Sequence, residues 1–171
     1  MKARVILVDE NDKEIGFEEK MEAHKTGKLH RAFSIFVFNS KGELLLQRRA
    51  KDKYHSGGLW SNTCCSHPRV GETLEEAVHR RLKEEMGFDC ELREAFHFIY
   101  KAKVGDLTEH ELDHVFIGRY NGEVNPNPDE VEEYKWVPVA SLNKDMKVHT
   151  ENYTEWFKIA FERTAKRENL L

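Results

Sequence analysis

The sequence predicts an α/β (α+β) sandwich with a mixed sheet, formed as one domain over residues 1–171. Three observations lead there. Short apolar runs rich in β-branched and aromatic residues recur between turn signals. Two amphipathic helical patterns interrupt them. No repeat, low-complexity tract or Pro/Gly/Ser linker divides the chain, whose length suits one ordinary domain.

In chain order, the first strand is expected at 3–8, where Val5-Ile6-Leu7-Val8 ends at Asp9. That run is too short for a secretory leader. Strands at 33–39 and 43–48 flank the turn Ser40-Lys41-Gly42. A fourth is expected at 60–65. The clearest helix is 73–86, with Thr73 as cap, Glu76 completing a capping box and Gly87 as stop. Further strands are expected around 91–102, 111–120 and 133–138, and a second helix at 151–168. Asn125-Pro126-Asn127-Pro128 reads as a loop.

Composition narrows the function. Hydrophobic residues make up 39% and charged residues 34%, enough for both a core and a solvated surface. The net charge of -4 argues against a nucleic-acid binder or an anionic-membrane binder, though a small basic pocket remains open. No apolar run approaches the roughly 20 residues that span a bilayer. Three cysteines, Cys64, Cys65 and Cys90, form no disulfide framework, and a reducing, cytoplasmic setting is expected.

On a helical wheel, Leu74, Ala77, Val78, Leu82 and Met86 form the apolar stripe of helix 73–86. Glu85 falls near the centre of that stripe, and Arg81 at its edge. A carboxylate aimed into a core must be paired or bind a metal. A buried Arg81–Glu85 ion pair and a metal ligand are both open at this point.

Residue types that hold metals concentrate in three places: His24 to His30, Cys64-Cys65-Ser66-His67, and Glu109-His110-Glu111-Leu112-Asp113-His114. In a strand, Glu109, Glu111 and Asp113 share one face. Two such acids with distant histidines suit a divalent cation of borderline softness, and the spacing is not that of a zinc finger. A solvated acidic hairpin with scattered surface histidines is the bland alternative. Cys64 and Cys65 would face opposite sides, so one can line a pocket while the other packs as a small hydrophobe. A Cys–His nucleophile pair lacks any accompanying oxyanion motif. Arg48-Arg49-Ala50-Lys51-Asp52-Lys53-Tyr54 precedes Gly57-Gly58 and could bind phosphate or form a charged loop. No Walker-type or dinucleotide-binding glycine pattern is present.

Residues 66–88, with Ser66, Glu72, Arg80, Arg81, Glu84, Glu85 and Gly87, resemble a degenerate Nudix box, G-x5-E-x7-R-E-U-x-E-E-x-G-U. Ser66 replaces its first glycine, and Arg81 replaces an acid. These departures are typical of type I isopentenyl-diphosphate isomerases. Gly58-Leu59-Trp60-Ser61-Asn62-Thr63-Cys64-Cys65-Ser66-His67-Pro68 is similar to that family's cysteine motif, and Glu109-His110-Glu111 to its E-x-E motif. Lys20, His24, His30 and Asp129-Glu130-Val131…Trp136 also match, so the resemblance spans roughly 3–160. Gly57 stands where the family often has proline, a change expected to loosen that loop without touching the chemistry.

The resemblance implies a Nudix-type α/β/α sandwich that interconverts isopentenyl and dimethylallyl diphosphate by 1,3-proton transfer in isoprenoid biosynthesis. It implies Cys65 and Glu111 as the proton-transfer groups, with Tyr100 assisting Glu111 and Trp156 against the carbocation. It implies one Zn2+ or Mn2+ held by His24, His30, His67, Glu109 and Glu111. A Mg2+ ion would bridge the diphosphate, Glu85 and the Cys65 backbone carbonyl. Lys20, Arg49, Lys53, Arg81 and Ser66 are the implied substrate contacts. The expected partner is a small isoprenoid diphosphate, with neither nucleic acid nor membrane, and the chain is expected to be a monomer. The competing readings are a Nudix hydrolase of a nucleoside-diphosphate-linked substrate and a non-catalytic, metal-stabilised domain.

Overall fold

The computed structural model describes residues 2–171, and among them are nine strands and four helices. The order is β1 (Arg4–Val8), β2 (Glu14–Glu19), α1 (Lys20–Thr26), β3 (His30–Phe38), β4 (Glu43–Arg49), β5 (Trp60–Ser61), β6 (Cys64–Ser66), α2 (Leu74–Met86), β7 (Leu92–Val104), β8 (Leu107–Arg119), β9 (Val131–Pro138), α3 (Val139–Val148) and α4 (Glu155–Arg167).

The α/β sandwich with its mixed sheet is as expected. β3 is the hub: it pairs antiparallel with β1, β4 and β6 and parallel with β8. Strand β3 is buried almost throughout, because α2 covers one face of the sheet and α3 and α4 the other. A strand covered on both faces reads as a near-continuous apolar run, which is how Phe33 to Phe38 reads apart from Ser34. Ala77, Val78, Leu82 and Met86 of α2 pack on Phe33, Ile35, Val37 and Leu45. Phe157, Ala160 and Phe161 of α4 pack on Phe36, Leu44 and Leu46.

Helix α2 begins as its sequence dictates. The Thr73 hydroxyl accepts from the Glu76 amide, and the Glu76 carboxylate accepts from the Thr73 amide. It ends at Gly87, with φ of 72°, where any Cβ would lie 2.1 Å from the Asn125 carbonyl oxygen. Only glycine fits there.

Some boundaries differ from expectation. The 60–65 run splits into β5 and β6, because Asn62 and Thr63 turn inward. The Asn62 amide donates to the Ile35 and Cys64 carbonyls, and the Thr63 hydroxyl donates to the Leu45 carbonyl. The hairpin β7–β8 is longer than its apolar pattern, since pairing continues to Val104 opposite Leu107 around Gly105-Asp106. The last helix starts at Glu155, capped by the Thr154 hydroxyl, after a 3-10 turn at Thr150–Asn152. β2, α1 and α3 are additional to the expected elements, and α3 buries Val139, Leu142 and Met146 as an i, i+3, i+7 stripe. At Gly57 the loop passes close to Lys51: a Cβ there would fall 2.4 Å from the Lys51 carbonyl oxygen. Among the described residues, no helix is long and apolar enough to cross a membrane.

Candidate active site and metal centre

Parallel pairing of β3 with β8 sets His30 directly opposite Glu111. Helix α1 brings His24 over the same strand, and β6 runs into His67. Three elements distant in sequence thereby deliver imidazoles to the acidic face of β8. The His24 Nε2 lies 3.1 Å from Glu109 Oε2. The His30 and His67 Nε2 atoms lie 3.1 and 2.7 Å from Glu111 Oε2. His24, His30, His67 and Glu111 come together, Glu109 adjoins them through His24, and Glu109, Glu111 and Asp113 are buried rather than solvated.

The tautomers of two imidazoles follow from their other nitrogens. His24 Nδ1 sits 2.6 Å from the Lys20 carbonyl oxygen, and His30 Nδ1 sits 2.9 Å from that of Lys28. A carbonyl only accepts, so both Nδ1 atoms carry hydrogen. Each Nε2 faces a carboxylate oxygen: protonated, it donates to that oxygen, and neutral, its lone pair can share a cation with it. His24, His30, His67 and Glu111 offer donor atoms all within 4.8 Å of one another. This donor set fits a divalent metal ion.

Burial alone would raise the Glu111 pKa, but hydrogen bonds from His30 and His67 overcome it and hold the carboxyl well below its ordinary value. Burial lowers His67 to about 4, so its ring is neutral near pH 7. Burial disfavours a charged His24 too, yet Glu109 more than offsets this and its pKa rises. In contrast Asp113, buried beside Glu111, is pushed well above the carboxylate range and accepts from the Ser34 hydroxyl at 2.7 Å.

The Tyr100 hydroxyl, in register with Glu111 across β7–β8, donates to Glu111 Oε1. Cys65 lies on β6, which flanks β3 on the side away from β8. The Trp156 indole N–H donates to its sulfur at 3.2 Å. Burial pushes the Cys65 thiol up to about 12, despite the Arg49 guanidinium nearby. Cys64 faces the other way, as alternation requires, and packs in the core under α2, 3.4 Å from Glu85.

Glu85 is buried and engaged on three sides. Gln47 Nε2 donates to one oxygen at 2.9 Å, and Arg81 Nη2 and Cys64 Sγ approach the other. The ion pair with Arg81 is therefore real. Arg81 also binds Glu84 at 2.7 Å, so it occupies the acids of the Nudix box.

Lys20, Arg49, Lys53, Ser66, Arg81 and Trp156 line one cleft with Cys65, Glu85, Glu109 and Glu111. The cleft encloses about 580 Å³, part of it open solvent at the mouth. Burial lowers the Lys20 pKa, and Lys53, Arg49 and Arg81 lower it further. Buried Nε atoms of Arg49 and Arg81 have no hydrogen-bond partner among the described residues. Four clustered cations with unspent donors form a seat for a polyanion such as diphosphate.

Sequence reasoning missed Gln47, Tyr54 and His55 in this cleft. Gln47 was signalled only as a polar residue inside an apolar strand. Tyr54 and His55 lie in an irregular loop with no periodicity to mark their direction.

The fold and the acids of α2 are those of a Nudix-domain protein. The Nudix domain family matches residues 28–157. Among solved structures, the MutT protein of Methanosarcina mazei superposes with a TM-score of 0.67 at 25% identity, covering 82% of this chain and 95% of that one. A Deinococcus radiodurans protein superposes with a TM-score of 0.74 at 19% identity, covering 94% and 97%, a likeness of fold alone. The isopentenyl-diphosphate Delta-isomerase 2 of Aromatoleum aromaticum is 53% identical over 99% of this chain and 90% of its own length. The same-named protein of Photorhabdus laumondii is 56% identical over 90% of this chain and 88% of its own. The chain belongs to the isopentenyl-diphosphate Delta-isomerase family of Nudix-domain proteins.

Proposed function

We propose that this protein interconverts isopentenyl diphosphate and dimethylallyl diphosphate for isoprenoid biosynthesis, by adding a proton at one carbon of the alkene and removing one from another. The single observation that carries this is the pairing of Cys65 and Glu111. They enter one cleft from strands on either side of β3, one carrying a proton and the other free to take one. Burial keeps Cys65 a thiol near pH 7, while Glu111 is a carboxylate. Tyr100 supports Glu111 by hydrogen bonding to the oxygen that His30 and His67 leave free.

Between the two transfers the substrate carries a tertiary carbocation, which water would trap. The Trp156 ring borders the cleft beside Cys65, and an indole face stabilises a desolvated cation by about 2 kcal/mol. Lys20, Arg49, Lys53 and Arg81, with Ser66, bind the diphosphate and fix the alkene between the two groups. His24, His30, His67, Glu109 and Glu111 would hold Zn2+ or Mn2+, and Glu85 with the Cys65 carbonyl would hold the Mg2+ of the bound diphosphate. Such ions supply positive charge that tunes Glu111 and neutralises the diphosphate. Arg81 speaks against hydrolysis because it stands where the Nudix box has an acid and sets a cation beside Glu84 and Glu85. The unpaired thiols of Cys64, Cys65 and Cys90 accord with a cytoplasmic home, and a single-domain monomer is proposed alongside it.

The test is product analysis after incubation with isopentenyl diphosphate, Mg2+ and trace Zn2+ or Mn2+. Dimethylallyl diphosphate with its diphosphate intact is the expected product. Monophosphate or free phosphate would instead identify a hydrolase, and no turnover under any metal condition would favour a metal-stabilised, non-catalytic domain.

A further inference from the structure

We infer that His55 is a further ligand of the cation centre, on the Glu109 side, and that it ties the phosphate-facing loop 50–58 to that centre. The inference rests on the reading of the His/Glu cluster as a cation site and extends it to a residue outside the five implied by family resemblance.

The His55 side chain is only 7% exposed, and its Nε2 lies 2.8 Å from Glu109 Oε1. A hydrogen on Nε2 would be poorly aligned with that oxygen, which leaves the buried Nε2 without a well-directed partner among the described residues. Its Nδ1 is 3.2 Å from the Ser56 hydroxyl, which can accept the ring hydrogen and leave Nε2 as a lone pair. A lone pair set beside an anionic oxygen is repulsive unless both point at a shared cation. Neighbouring ligands at roughly 2.0–2.2 Å from one ion stand about 3 Å apart, which is the separation found.

The donor atoms of His24, His55 and Glu109 all lie within 4.8 Å of one another. Glu109 turns one oxygen to His24 and the other to His55. His55 is therefore placed to share an ion with His24 and Glu109 from the cleft side. Its backbone adds a second connection, because the His55 carbonyl accepts from Arg49 Nη2 at 3.3 Å. One residue thus links the metal ligands to a diphosphate-binding guanidinium. Lys53 and Tyr54, also cleft-lining, immediately precede it on the loop.

The test uses the full chain without substrate. Zn2+ affinity is measured by chelator competition, and the ligand field of bound Co2+ by visible absorption, for wild type, His55→Phe and His55→Gln. Phenylalanine keeps ring packing against Tyr54 and Trp156 but offers no donor. Glutamine can still give Glu109 a hydrogen bond. The expected result is a loss of Zn2+ affinity of about tenfold in both variants. The Co2+ bands should be altered in both, and Zn2+ should no longer slow amide exchange in 51–58. A loss below threefold in both variants, or an unchanged Co2+ spectrum, overturns the inference. Full recovery by glutamine overturns it too, since His55 would then only orient Glu109. Wild-type protein that binds neither ion would refute the cation centre itself, a distinct outcome that leaves the product assay untouched.

Discussion

Replacing Arg81 by methionine should destabilise the fold through a single carboxylate. Arg81 binds Glu84 and Glu85, but only Glu85 is buried, at 5% exposure. Water can replace Arg81 at exposed Glu84. At Glu85 it cannot, and the carboxylate keeps only Gln47 and the weak Cys64 donor. Breaking a buried pair costs about 3–5 kcal/mol, and the partial exposure of Arg81 places this case near about 3 kcal/mol. That is about 150-fold in the folding equilibrium, and about 6–12 °C in melting temperature for a chain of this size. Urea denaturation in metal-free, substrate-free buffer measures it. The pair variant Arg81→Met with Glu85→Leu should recover most of the loss, because the buried charge is gone and Gln47 retains the Thr63 carbonyl. A single variant within about 1 kcal/mol of wild type, or a pair variant no better than the single, would refute the reasoning.

Cys65→Ser and Glu111→Gln should each lower isomerase turnover by at least about 100-fold while preserving circular dichroism. Near-normal turnover in either would break the assigned proton transfers. The Cys65 thiol, raised from the ordinary value to about 12, favours its protonated form in the folded protein. Alkylation of Cys65 by iodoacetamide should therefore be slow at pH 8 and accelerate up to about pH 12, and fast labelling at neutral pH would contradict it. Thr73→Ala removes half of a capping box and should cost about 1 kcal/mol in urea unfolding without changing turnover.

Much of this architecture is legible in local sequence. The α2 boundaries follow from Thr73, Glu76 and Gly87, each acting on its immediate neighbours. The opposed faces of Cys64 and Cys65, and the shared face of Glu109, Glu111 and Asp113, follow from strand alternation. The inward Glu85 was visible as a charge in an apolar stripe, but its partners were only half visible. Arg81 lies one turn away, whereas Gln47 comes from β4 by tertiary packing. His55 was illegible for the same reason. An irregular loop carries no period, and the direction of that ring is set by how tightly Gly57 lets the chain double back on Lys51. The residue resemblance gathered the three histidines, since no spacing rule joins positions from a helix, a strand and a loop.

The alignment of β3 with β8 has a kinetic consequence. His30 and Glu111 are 81 residues apart in the chain, yet they meet as direct register partners. No local segment can assemble the centre by itself, so it exists only after this long closure is complete and in register. An ion held there rewards the finished topology rather than any early fragment. Ligation that forms late stabilises the native state without lowering the barrier to reach it, so it lengthens the lifetime of the folded chain rather than hastening its formation.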